Sequence, residues 1–255
     1  MNLTFDRNIF TQTTLDSGAL TMLGGVTHCL LEPGQYRGIV FRESEDIAAF
    51  YIDADKNSAV AQANIDLASL DPAVVVSPRQ MKSTVGGDCG CGGDSAVSPG
   101  GTNKFVLHPK GYLVFHVSAG AGGYSVIVRK AEEDPKTNLF DTRKLLEGDV
   151  FSGAIIRPGQ YSIENTVTKA TAGITVLYPK VGKTGYRPPK PITFECGSRG
   201  IEPQRAEVQP GQGIHFRFKA PSRIKIELLK PDDGSGKPLG PQNLGQRLAA
   251  ITKKQ

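Results

Sequence analysis

The chain has no tryptophan, three methionines, four cysteines and four histidines among its 255 residues. With no Trp and only seven Tyr, it has little of the exposed aromatic surface on which carbohydrate-binding modules hold sugars. Four cysteines in a chain of this length do not make a disulfide framework. The histidines, His28, His108, His116 and His215, form no short Cys-His-Met loop of the blue-copper kind, and Met22 and Met81 lie near no Cys-His pair. No apolar run approaches the roughly 18–20 residues of a membrane helix. Residues Met1 to Arg7 lack the basic-then-apolar order of a signal peptide. The expected location is therefore the cytoplasm or a released particle, with no membrane partner. Enzyme signatures are missing too: no nucleophile elbow, no His-Glu-X-X-His, and no Lys-Ser/Thr after the glycines at 86–93. Glu43 with Glu45, and Glu132 with Glu133, read as turn and loop charges.

A dense run of one charge sign is also absent. The net charge is +5 and the pI about 9.0, but the charges are spread along the chain. The local concentrations are His215, Arg217, Lys219, Arg223 and Lys225, and the pair Lys253-Lys254. A nucleic-acid surface needs a denser basic stripe with interleaved aromatics. The expectation is a solvated strand face and no nucleic-acid partner.

What the chain has is glycine, 30 residues, and proline, 17, in a repeated phrase. Pro33-Gly34-Gln35-Tyr36 returns as Pro158-Gly159-Gln160-Tyr161, and in part as Pro210-Gly211-Gln212. A degenerate member is His108-Pro109-Lys110-Gly111. Proline presets φ at the second position of a turn and glycine accepts positive φ at the third, so a type II turn between strands is expected each time. With the Gly/Ser/Pro-rich insertion 77–103 set aside, the prolines recur about every 50 residues. This points to an internal duplication.

The runs between the turns alternate. Ile214, Phe216 and Phe218 share one face, with His215, Arg217 and Lys219 on the other; Ile224, Ile226 and Leu228 continue the pattern. Together they read as a half-buried antiparallel pair. Tyr112–Val117 is apolar on both faces and reads as a central strand. Helix is expected only at Ser58–Leu70, capped by Asn57 or Ser58 with Val60, Ala63 and Leu67 on one face, and in the tail at 243–254. There Leu244, Leu248 and Ile251 form a narrow apolar stripe after a flexible linker, which suits a docking peptide.

The residues with most chemistry are thiols. In Gly86-Gly87-Asp88-Cys89-Gly90-Cys91-Gly92-Gly93 two cysteines flank one glycine. Such neighbours do not close an unstrained disulfide but can both reach one soft metal. A tetrahedral zinc or iron–sulfur site needs two more ligands, and Cys29 and Cys196 are the candidates, with His28 as a substitute. Cys89-Gly90-Cys91-Gly92 resembles the terminal Cys-Gly-Cys-Gly motif of A-type iron–sulfur carrier proteins, which also have an upstream cysteine at a separation close to that of Cys29 and Cys89. The resemblance implies cluster binding through these thiols. It covers three cysteines and a few glycines; Cys29, in Thr27-His28-Cys29-Leu30-Leu31, lacks the family's glycine-rich surroundings. Asp53-Ala54-Asp55-Lys56-Asn57 resembles the start of an EF-hand loop, but Ser58 stands at the turn glycine and Asn64 at the bidentate Glu.

The fold expected is all-β: two tandem antiparallel β-sandwich domains, jelly-roll-like, from an internal duplication. The first spans 1–135 with the insertion 77–103, the second 136–232, and 233–255 is a linker and amphipathic tail. The function expected is a non-enzymatic structural or assembly subunit contacting protein neighbours as an oligomer or in a particle. The alternative is a thiolate metal-binding or iron–sulfur accessory protein using Cys89, Cys91, Cys29 and Cys196. Otherwise no cofactor is expected.

Overall fold

The computed structural model describes residues 12–74, 103–132, 137–178 and 186–232. More than half of this is strand, and the one helix is four residues long. Residues 12–132 contribute β1 (Thr14–Asp16), β2 (Gly24–Leu30), β3 (Gly34–Arg42), β4 (Glu45–Ala54), β5 (Gln62–Asp66), α1 (Leu67–Leu70), β6 (Lys104–Leu107), β7 (Gly111–His116) and β8 (Tyr124–Lys130). Residues 137–232 contribute β9 (Phe140–Asp141), β10 (Val150–Ala154), β11 (Gly159–Asn165), β12 (Thr171–Val176), β13 (Ile192–Gly197), β14 (Gly200–Glu202), β15 (Arg205–Val208), β16 (Gly213–Phe218) and β17 (Ile224–Pro231). They form a five-stranded sheet in order β6-β4-β3-β8-β9, another in order β1-β17-β11-β12-β15, and a seven-stranded sheet in order β14-β13-β16-β10-β2-β7-β5.

The two stretches repeat one set of pairings. β3 lies antiparallel between β4 and β8, as β11 lies between β12 and β17. β2 pairs with β7 as β10 pairs with β16. Each stretch also has two parallel contacts: β4 with β6 and β5 with β7, then β12 with β15 and β13 with β16. The sheets are thus mixed, not purely antiparallel as expected. The strands on either side of the Ser118–Gly123 and Lys219–Arg223 segments cross from one sheet to another, so β16 and β17 do not pair with each other. Periodicity reveals which face a strand buries; it carries no information about the neighbour.

Three pairings run between the stretches. β2 meets β10 antiparallel, with Val26 opposite Phe151, which makes the seven-stranded sheet continuous. β1 adds to β17, and β9 adds to β8, so each stretch lends its first strand to the other. The lent strands carry core residues. Phe140 of β9 stacks on Phe115 of β7 at 5.3 Å between ring centroids, and Phe115 in turn meets Phe50 of β4 at 6.1 Å. Leu15 of β1 lies 3.0 Å from where a Cβ on Gly153 would stand. The apolar core is one connected cluster through both stretches.

The strand faces follow the alternation. Ile214, Phe216 and Phe218 are buried, and so are Ile224 and Ile226. Tyr112 is the exception: it is half exposed, because β7 buries only the face bearing Leu113 and Phe115. The helix expected over Ser58–Leu70 shrinks to α1. Its first part is β5, paired in parallel with β7, and Ala63, Ile65 and Leu67 are buried at alternate positions. The cap is Asp66, whose Oδ1 accepts the Ala68 N–H at 3.2 Å. The insertion 77–103, apart from Asn103, lies outside the described residues, as does the tail 233–255 with its expected helix.

Candidate functional site

The repeated phrase proves to be two devices. At Pro210-Gly211 and Pro109-Lys110 the expected turn is present: Gly211 has φ 74° and Lys110 φ 70°, and Gln212 N–H donates to Gln209 O while Gly111 N–H donates to His108 O. At Pro33 and Pro158 the glycine instead opens a strand, with φ 139° at Gly34 and 152° at Gly159. There the tyrosine closes the corner. Tyr36 donates its phenol to Glu32 O at 2.9 Å, and Tyr161 donates to Arg157 O at 2.8 Å, both rings being buried. Pro-Gly-Gln-Tyr is thus a latch from strand to preceding loop.

A second repeated device has a weaker sequence signal. Asp16 and Asp141 end the lent strands, and Ser17 and Thr142 follow them. Ser17 N–H donates to Ile224 O and its Oγ accepts Ile224 N–H; Thr142 does the same with Val126. Each aspartate is covered by a guanidinium. Arg223 reaches Asp16 from β17's side at 3.0 and 2.8 Å, while Arg143 reaches Asp141 from two residues away at 3.0 Å twice. Gly18 stands where Arg143 stands in the other copy, and a Cβ there would sit 2.5 Å from Arg223 Nε. The Asp16 hydrogen bond, with the charges of Asp16 and Asp141, holds Arg223 above its ordinary range against the opposing effect of burial.

The structure does not bring Cys29 and Cys196 together. Cys196 is buried on β13 beside Phe194, and burial, then the Glu195 charge, pushes its thiol up to about 12. Cys29 lies on the opposite face of the same sheet, half-exposed, donating to Lys110 O at 3.6 Å. Two strands separate β13 from β2, so the thiols are about 14 Å apart across the sheet. Ligands of one zinc lie within about 4 Å of each other. Cys89 and Cys91, and Leu244, Leu248 and Ile251, lie outside the described residues. Among the described residues no group of three His, Cys, Asp or Glu side chains could hold a metal ion. His28, the substitute ligand, is hydrogen-bonded through Nδ1 to Asp149 at 2.7 Å and lies against the Phe140 ring. At the EF-hand-like segment, Asp53 pairs with Lys104 at 3.1 Å and Asp55 caps its own turn by accepting Asn57 N–H.

Two serine–histidine groupings invite comparison with hydrolases, and neither has the geometry. Ser152 Oγ meets Nδ1 of His215 at 2.8 Å, the nitrogen that a triad reserves for its carboxylate. Ser118 Oγ bonds directly to Asp66, with His116 4.0 Å from the same carboxylate. Asp71 is likewise structural: burial pushes its carboxyl up, but the Ala73 N–H, the Tyr124 phenol and Arg42 together hold it below its ordinary range. Every buried side-chain polar atom among the described residues has a partner. The larger cleft, about 460 Å³, lies where β1 and β17 meet the Glu43 and Gly122 turns. Most of its charges are matched in pairs, Arg42 with Asp71, Lys225 with Glu227 and Asp16 with Arg223, with Glu43 the one lining charge outside these pairs.

The most extensive feature is a surface. One face of the seven-stranded sheet carries the buried Val26, Phe115, Phe151, Phe194 and Phe216. The other presents Gly25, Thr27, Val114, Val150, Ser152 and His215 side by side, all half-buried, across four strands and about 14 Å. Charges sit toward its two ends, Arg217 opposite Glu195 and His116 opposite the strand bearing Asp66. None of the residues on this face of the sheet is buried. Also among them, no helix is long and apolar enough to cross a membrane. In comparisons with protein-family models, curated proteins and solved structures, nothing matches this chain.

Proposed function

We propose that this chain is a non-enzymatic assembly subunit, two β-sandwich units of a duplicated sequence, that binds protein neighbours through the outer face of its seven-stranded sheet. The observation that carries the reading is that face: centred on small and β-branched side chains, with none of its residues buried. Contiguous exposed apolar area marks interaction sites, and Val114, Thr27 and Val150 form one row across the middle of this face. Duplication is supported by the repeated pairings, the twin tyrosine latches and the twin Asp-Ser/Thr hooks. The tail with Leu244, Leu248 and Ile251 adds a docking peptide in this reading.

The test is light scattering behind size exclusion, with affinity capture, on the full chain. The expected result is a species heavier than the 27.3 kDa chain, or a retained partner. Thr27→Arg with Ser152→Arg removes it, and deletion of 233–255 weakens it. A strict monomer that retains no partner refutes the reading.

A further inference from the structure

One basic row among the described residues is made of residues far apart in the sequence. Lys104, Tyr51, Arg37 and Arg129 lie on β6, β4, β3 and β8, and the register sets them in a single row across the outer face of one five-stranded sheet. Adjacent strands are about 4.8 Å apart, so three cations and one ring span about 14 Å. Tyr51 is 45% exposed and Arg37 is exposed. Lys104 shares Asp53 at 3.1 Å, and Arg129 bonds the neutral Asn138 at 2.8 Å. Among the described residues no carboxylate pairs with Arg37 or Arg129.

The fold does not require this row. In the other five-stranded sheet, the same pairings set Arg205, Gly173, Ser162 and Glu227 in the corresponding row. There the ring and two of the cations are missing, and Glu227 is neutralised by Lys225. Of the basic residues close together in sequence, Lys219 pairs with Glu195, Arg223 with Asp16 and Lys225 with Glu227, while His215 is hydrogen-bonded to Ser152. The row at Tyr51 sets two arginines without ion pairs beside an open aromatic ring.

We propose that this row binds single-stranded nucleic acid, independently of the assembly face. Arg37, Arg129 and Lys104 contact successive phosphates, and a base stacks on Tyr51. The ring favours this ligand over an acidic protein surface, since a flat aromatic between cations gains from a base's π-face and gains little from a carboxylate.

The experiment is fluorescence anisotropy of the full chain with labelled oligouridylate and oligothymidylate over a salt series. Three phosphate contacts on a single strand predict a slope of log K against log salt of about −2. Arg37→Gln with Arg129→Gln is expected to weaken binding at least tenfold and flatten the slope. Tyr51→Ser is expected to weaken it about tenfold with the slope unchanged, because stacking releases no counterions. Arg205→Gln on the opposite sheet changes nothing. Preference for one oligomer separates RNA from DNA. The proposal is overturned by absence of binding at low salt, by a wild-type slope near zero, or by polyglutamate competing as well as the oligonucleotides. Wild-type slope and competition need no variant, so misfolding of a variant does not protect the idea.

Discussion

Gly159 and Gly34 occupy matching positions with different surroundings. A Cβ on Gly159 would lie 2.6 Å from Lys230 O, at φ 152°, whereas one on Gly34 would find nothing nearer than 3.8 Å, at φ 139°. Gly159→Ala is expected to cost about 2–3 kcal/mol and Gly34→Ala about 1 kcal/mol, the latter from backbone strain alone. Urea denaturation of both variants checks the order, and equal losses would mean the contact at Lys230 is not felt. Cys196 supplies a pH prediction. Its folded thiol, pushed up to about 12, holds its proton while the unfolded thiol releases it near pH 9. Stability is therefore full below about pH 9 and falls as pH rises toward 12. In Cys196→Ala that alkaline loss shrinks, and in the native wild type at pH 8 a thiol reagent leaves Cys196 unmodified until denaturant is added. These residue-scale features were partly legible. Pro-Gly-Gln-Tyr announced a backbone corner, but the tyrosine's partner, a carbonyl four residues upstream, became visible only when the strand turned back on its loop.

At the scale of elements, the lent strands β1 and β9 are short, three and two residues, and a ladder so short adds little by itself. The Asp-Ser and Asp-Thr hooks at their ends hold them in place. Asp16→Ala leaves Arg223 without its bidentate partner and is expected to cost about 1–2 kcal/mol, most of it recovered in Arg223→Met as the second substitution. A double-mutant cycle in urea measures the coupling, and simple additivity of the two losses would show the pair to be incidental. Strands β16 and β17 were legible because their alternation of apolar and polar residues is direct. Segment 58–70 was not: Val60, Ala63 and Leu67 fit a helical stripe, and Ala63, Ile65 and Leu67 fit a strand. Parallel pairing with β7 decided between them, a contact made by residues about 50 positions further along.

For the whole molecule, the three pairings between residues 12–132 and 137–232 interlock the two stretches. Calorimetry is expected to record one cooperative transition, and a fragment covering 137–232, deprived of β1 and of the β2 edge, is expected to stay unfolded. Two resolved transitions, or a folded fragment, would show that the stretches behave as separate domains. The same interlocking bears on function. It fuses two smaller sheets into one seven-stranded face, and that face exists only in the joined molecule.

By itself the sequence determined the β class, the corners at the prolines, the buried face of most strands and the lack of any catalytic signature. These follow from local chemistry: ring-locked φ, positive φ at glycine, and alternation at period two. Strand partners, sheet membership and the convergence of side chains were decided by the tertiary structure, because pairing register depends on residues tens to hundreds of positions away. The row Lys104–Tyr51–Arg37–Arg129 illustrates the difference. Its members come from four strands and look like scattered charges along the chain, while in the visible cluster from His215 to Lys225 two cations, Lys219 and Arg223, are met by carboxylates from other strands and Lys225 by Glu227 of its own.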